Sequence, residues 1–223
     1  MGTTSLSYSV RRQYIDTFMA QQAVLLPTNA QVLDLGGHKH RKRGYFTIED
    51  YPVRVTYANL LSNKGTDVQA DAFHLPFATG SFDVVICAEL LEHVPDPLPV
   101  LREIFRVLAP HGRAILTVPF LYRIHADPFD FARYTDYYWQ TTLATLGFVA
   151  IQTERQGLFF AVLVNFVKQY FDLMWRRPFR WPMQWLIYAI QQWAMGQEAK
   201  ASVAGDAFLA SFTTGFGIVA TKL

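Results

Sequence analysis

Glu89, Glu92 and His93 lie within five consecutive residues, Glu89-Leu90-Leu91-Glu92-His93. On a helical turn, positions i, i+3 and i+4 share a face, so two carboxylates and an imidazole would converge there. Oxygen and nitrogen donors of that kind suit a divalent cation. A further donor is available at His125 or Asp127, in the run Tyr122-Arg123-Ile124-His125-Ala126-Asp127. Without a cation, His93 and His125 are the candidate general bases, because an unperturbed imidazole titrates near about 6.5. Asp130 and Arg133, a little further on, read as a charge pair that orders this loop.

These residues flank two apolar runs. Phe82–Ala88 and 113–118 are continuous in Val, Ile and Leu, as in strands buried on both faces. Between them, Leu101, Ile104, Phe105 and Leu108 recur at helical spacing, so a helix over about 98–108 buries one face. Pro110-His111-Gly112 predicts its stop. A strand–helix–strand unit of this length is a right-handed parallel crossover, and the fold class is α/β. Upstream, Gln31-Val32-Leu33-Asp34-Leu35-Gly36-Gly37 reads as a short strand ending in an acid and two glycines. Ligands of parallel sheets sit beyond such strand ends, where glycine admits close backbone approach. A second strand falls at 53–59, or alternatively at 45–48, and a third at 67–71. A helix over 14–26 would lie across this edge.

VLDLGG, then DAFHLPFATGSFDVVICAELLEHV, then LREIFRVLAPHGRAILTVPF resemble, in this order, the class I S-adenosylmethionine-dependent methyltransferases. The likeness covers residues 30 to 155 and recurs in the last dozen. It implies a Rossmann-like, doubly wound seven-stranded sheet with an antiparallel last strand. Residues 148–154 would be strand six, 212–221 strand seven, and a helical hairpin would be inserted between them. It also implies S-adenosyl-L-methionine as cofactor. Asp34, Gly36 and Gly37 match the motif that wraps the methionine part, although the usual G-x-G is replaced by Gly36-Gly37-His38. The ribose-gripping acid falls nearest Asn59, whose carbonyl can still bond a diol. Glu49 and Asp50 are alternatives if the second strand is 45–48. Asp71, Ala72 and Phe73 match the adenine corner, with a turn cap as the other reading of Asp71.

The spacing E-x-x-E-H is similar to the metal site of magnesium-dependent small-RNA 2′-O-methyltransferases and of some quinone-pathway O-methyltransferases. That likeness implies Glu89, Glu92, His93 and His125 as cation ligands. In metal-free members of the family the equivalents of Glu92 and His93 cap a helix or line the substrate pocket. A sulfonium methyl is already electrophilic, so the protein must align donor and acceptor about 3 Å apart. A hydroxyl acceptor must also lose its proton to a base or under a metal. Similar proteins with H-x-D-P-x-D-x-x-R-Y-T after strand five suggest a small-molecule, glycan or lipid-linked acceptor, methylated on oxygen. A non-catalytic cofactor-binding or scaffold protein would share the fold. A nicotinamide dehydrogenase ranks last, because G-x-G-x-x-G is absent.

The chain of 223 residues suits one domain with an elaboration. Residues 1–30 read as a helical cap, 31–155 as the cofactor-binding core, 157–196 as an apolar helical insertion and 208–223 as the final strand. A net charge of +2 argues against a nucleic-acid partner. The single Cys87 lies in a core strand, which suits a cytoplasmic protein. In the insertion, 158–175 is apolar with Asn165, Lys168, Gln169 and Asp172 confined to one face. Arg176, Arg177 and Arg180 follow, then a second apolar segment with Trp185 and Trp193. Residues 158–195 are too short or too polar to span a bilayer, so the pattern leaves three roles open. They are a peripheral contact with the inner membrane surface, a homodimer contact and a lid.

Overall fold

The computed structural model describes residues 8–39, 44–61, 65–126, 128–174 and 180–223, with backbone alone at 172–174 and 180–184. Its seven strands are β1 (Gln31–Leu35), β2 (Arg54–Asn59), β3 (Val68–Gln69), β4 (Phe82–Ala88), β5 (Leu108–Pro119), β6 (Phe148–Arg155) and β7 (Gly215–Lys222). They form one sheet in the order β3-β2-β1-β4-β5-β7-β6. β1 pairs in parallel with β2 and with β4, β2 with β3, and β4 with β5. β7 slots antiparallel between β5 and β6. This is the doubly wound sheet with a reversed last strand that the sequence predicts. The strand order turns at β1 and β4, which places the crevice for a ligand at their carboxyl ends.

Alternation along each central strand feeds two cores. Leu33, Leu35, Val85, Cys87, Leu116 and Ile218 point to one face. Helix α2 (Pro97–Val107) covers it with Val100, Leu101, Ile104 and Val107, and helix α3 (Asp136–Thr145) adds Trp139 and Leu143. Val32, Tyr57, Val84, Ile86, Ile115 and Val219 point to the other face, where helix α1 (Val10–Val24) lays Ile15, Phe18, Met19 and Ala23 against them. The Ser9 hydroxyl accepts from the Arg12 N–H, and Asp96 accepts from the Leu98 N–H, so both helices start on conventional caps. Buried among apolar neighbours, the Cys87 thiol is pushed above its ordinary value and stays protonated.

Three local expectations change. Pro110-His111-Gly112 lies inside β5, not between a helix and a strand. Leu108 already pairs with Phe82, and pairing resumes at Arg113 with Val84, so 109–112 bulge out of the ladder. His111 takes a left-handed φ of 62° there, and a Cβ on Gly112 would meet the Ala109 carbonyl at 2.8 Å. Where the helix ends at Val107, Lys222 of β7 donates to the carbonyls of Phe105 and Leu108. Of the two places for a second strand, 53–59 is occupied by β2, whereas Ile48–Asp50 is a 3₁₀ turn. The N-terminal helix runs from Val10 to Val24, four residues ahead of the expected start.

Past β6 the chain forms α4 (Phe159–Met174), α5 (Arg180–Glu198) and the short α6 (Ala201–Ala204). α4 packs against α5 and against α1 through Val10, Ala161, Val164 and Ala194. Leu101 is fully buried at the centre of the α2 face. Leu101→Ala should therefore lower unfolding stability by about 2–5 kcal/mol, read as a shift of the urea midpoint at unchanged slope.

Candidate functional site

The first wall of the crevice is the loop after β1. Gly36 sits at a φ of +84°, and its N–H donates to the Ala58 carbonyl at 2.8 Å. A Cβ on Gly37 would fall 2.2 Å from the Asp34 carboxyl carbon, so glycine is what lets that acid fold back along the loop. Asn59, at the end of β2, staples the turn. Its Nδ2 donates to the carbonyls of Gly36 at 2.6 Å and Gly37 at 3.2 Å, and its Oδ1 accepts from the Leu61 N–H. Asp71 is exposed and accepts from the Phe73 N–H at 3.0 Å, as a turn cap does, while Ala72 and Phe73 rest on the core beside it. A cavity of about 140 Å³ opens between this loop and α1, lined by Arg12, Asp34, Gly37, His38, Ile86 and Ala88.

The second wall follows β4 and divides the two glutamates. Glu89 takes a left-handed φ of 51°, with its N–H on the Thr117 carbonyl. Its carboxylate is gripped by buried Arg11, Nη2 to Oε1 at 2.5 Å and Nε to Oε2 at 3.3 Å. Arg11 Nη1 also donates to Gln156 Oε1 at 2.7 Å. The guanidinium fits only because residue 215 is glycine, since a Cβ there would come within 2.4 Å of it. Burial works to raise the Glu89 carboxyl, but the charge and hydrogen bonds of Arg11, with the Arg12 charge and a Thr117 hydrogen bond, together outweigh it and hold it below the ordinary value.

Glu92 has the opposite surroundings. It sits in the 3₁₀ turn Leu91–His93, is 3% exposed, and neither carboxyl oxygen has a hydrogen-bond partner. Burial, reinforced by the nearby Glu89 charge, pushes it up to about 8. Two imidazoles face its Oε1. His93 Nδ1 lies 2.6 Å from the Phe129 carbonyl, so that nitrogen carries the proton, and Nε2 turns its lone pair toward Glu92 at 3.6 Å. His125 Nε2 is 4.0 Å from the same oxygen, and the two rings meet edge to face with centroids 5.0 Å apart. Asp130 orders this loop by accepting from the His125 N–H at 2.8 Å and from Arg133 Nη2 at 2.7 Å. The Arg133 hydrogen bonds hold Asp130 far below the usual carboxylate range. Burial lowers His125, which favours its neutral form.

Donor atoms of Glu92, His93 and His125 therefore lie within 4.8 Å of one another, an arrangement that can hold a cation or pass a proton. Of the four ligands expected, Glu89 is not in this group. The chain from 89 to 93 is a left-handed residue followed by a 3₁₀ turn, not a helical face, and Arg11 occupies the Glu89 carboxylate. Asp127 lies outside the described residues. Arg11 itself had no signal in the sequence, being 78 residues from its partner.

Comparisons with known proteins bear on the domain and its fold. Residues 30–116 match the methyltransferase domain family. Over those residues the chain is similar to methyltransferase domains. It is 33% identical over 111 residues to an "uncharacterized methyltransferase" of Mycobacterium sp. (strain KMS), covering 46% of this chain and 42% of that protein. A ubiquinone biosynthesis O-methyltransferase of Xanthomonas oryzae pv. oryzae (strain PXO99A) is 54% identical over 39 residues, 18% of this chain and 16% of the relative. The chain thus spans less than half the length of these relatives. The crystal structure of a SAM-dependent methyltransferase from Archaeoglobus fulgidus superimposes with a TM-score of 0.59, covering 95% of this chain and 94% of that one at 13% identity. At that identity the likeness is one of fold.

Two outcomes follow from the site. Arg11→Gln leaves a carboxylate without its cation in a largely buried place, and should cost about 3 kcal/mol by chemical denaturation. Glu92, raised in the folded state, stabilises the fold fully below its ordinary value of 4.5 and loses that contribution as pH climbs through about 8. With chelator present, unfolding stability should fall between these limits by on the order of a few kcal/mol, and Glu92→Gln should flatten the profile.

Proposed function

We propose that this domain transfers the methyl group of S-adenosylmethionine to a hydroxyl oxygen of a small-molecule, glycan or lipid-linked acceptor. The observation that carries the reading is the juxtaposition of the Asp34–Gly36–Gly37 loop after β1 with the cluster of buried Glu92 and half-buried His93 and His125 on the loops after β4 and β5. One is suited to a cofactor and the other to activating its partner. The methionine part would lie along Asp34, Gly36 and Gly37. The ribose would meet Asn59 through the second lone pair of Oδ1, and the adenine would meet Asp71, Ala72 and Phe73. The 140 Å³ cavity is smaller than a typical pocket of roughly 300 Å³ or more, so the cofactor would extend from it across the open strand ends.

In the transfer, the acceptor oxygen attacks the sulfonium methyl in line. The new C–O bond forms as C–S breaks, and the electron pair stays on sulfur to give the neutral thioether. The hydroxyl proton passes to Nε2 of His93, whose Nδ1 is held by the Phe129 carbonyl. The imidazolium charge that results would draw the neighbouring Glu92 carboxyl toward its ionised form. Oxygen as the accepting atom is supported by the name of the Xanthomonas relative and by a base placed in the crevice. A divalent cation fits the same residues. The two unpartnered oxygens of buried Glu92, with Nε2 of His93 and of His125, are the donor set that would hold it. When bound, it would supply Lewis-acid polarisation of the acceptor hydroxyl.

Calorimetry with S-adenosylhomocysteine should show one site per chain, weakened in Asp34→Ala and Asp71→Ala. His93→Ala and His125→Ala should keep that affinity and lose about 10²-fold or more in transfer of labelled methyl to an acceptor extract. Absence of binding to the wild-type chain would overturn the reading, and activity surviving both histidine changes would remove them as base. Elemental analysis, with activity before and after chelation, decides the cation.

A further inference from the structure

The insertion seats small and branched apolar residues on the body, yet it also buries several polar side chains and leaves many of its large apolar ones exposed. On α4, Leu163, Phe166, Val167 and Tyr170 recur at i, i+3, i+4 and i+7 and are 50, 46, 36 and 59% exposed. On α5, Trp185, Leu186 and Trp193 are 55, 53 and 54% exposed. Asn165, Lys168, Gln191 and Glu198 are buried instead, at 1, 4, 2 and 8% exposed. Gln191 donates to Gln13 of α1 at 3.0 Å, and Glu198 accepts from the Tyr14 hydroxyl and from the Ala161 N–H. Neither amide atom of Asn165 has a hydrogen-bond partner. A helix pair surrounded by water turns the opposite way, apolar stripe to the core and polar face out.

We propose that the exposed face of α4 and α5 docks on an anionic lipid surface, with the helices lying in its plane. Polar side chains turned inward and apolar ones outward is the arrangement of helices whose surroundings are hydrocarbon. Tyr170, Trp185 and Trp193 are the amphipathic aromatics that settle at the headgroup level. In the sequence, residues 172–180 hold Arg176, Arg177 and Arg180 against the single acid Asp172, a basic balance complementary to anionic headgroups. No helix among the described residues is long and apolar enough to cross a membrane, so the hairpin rests on the surface. The proposal does not depend on methyl transfer, and its test needs neither cofactor nor acceptor.

The experiment is flotation of the full chain with vesicles of phosphatidylcholine and phosphatidylglycerol, beside pure phosphatidylcholine. Co-flotation with the mixed vesicles, a blue shift of tryptophan emission and release by salt are expected. Phe166→Glu with Trp185→Glu, at exposed positions outside the cleft, should lower vesicle affinity about tenfold or more. The double variant should keep the wild-type circular dichroism and wild-type binding of S-adenosylhomocysteine. Equal flotation with pure phosphatidylcholine would overturn the anionic requirement. A chain that stays with the unfloated fraction, or that ignores vesicles and forms a concentration-dependent dimer lost in the double variant, would overturn the proposal.

Discussion

The ion pair between Arg11 and Glu89 is the constraint from which the rest of the crevice follows. Two carboxylates three residues apart in a poorly hydrated pocket cannot both carry charge without a partner. Arg11 supplies that partner to one of them, and the other, Glu92, is left beside two imidazoles. The same guanidinium reaches Gln156 at the end of β6, so one side chain ties α1, the turn after β4 and the start of the insertion together. Gly215 completes the arrangement from β7 by leaving room for it. The floor of the crevice is thus assembled from segments far apart in the sequence.

Much of the frame was legible because its signals are local. β4 matches its apolar run residue for residue, and α2 carries a 3.6-residue stripe with a proline start and an aspartate cap. The break at Pro110-His111-Gly112 was misread because the residues that stop a helix also make a bulge, and only pairing between Leu108 and Phe82 tells them apart. Glu89 could not be sorted from Glu92 for a related reason. Their spacing is a helical one, but a left-handed φ at Glu89 aims its carboxylate at a helix whose approach no short motif records. Asn59 sits where a ribose contact was expected, yet three of its hydrogen bonds go to its own neighbourhood. The insertion showed its polar residues on one face, but nothing in the pattern said that this face turns inward.

These two halves of the molecule face different demands. The sheet and its covering helices hide continuous apolar strands from water by alternating them into two cores, and the crevice borrows its rigidity from that packing. The insertion touches the body at its base, through Val10, Ala161, Val164 and Ala194, and leaves an aromatic surface exposed. On the roles proposed above, the cleft would carry the chemistry and the hairpin surface would set where it happens.

The place of β7 has a consequence for how the protein is made. Its residues, Gly215–Lys222, fill the slot between β5 and β6, yet roughly a hundred residues separate them from the end of β5. While the ribosome is still translating the hairpin, β5 and β6 have no common neighbour and each offers a bare hydrogen-bonding edge. The nascent chain must keep those edges from other molecules until its final strand emerges. Completion of the sheet therefore waits for the last of its strands to be made, and the interval before it is the time of greatest exposure to misassembly.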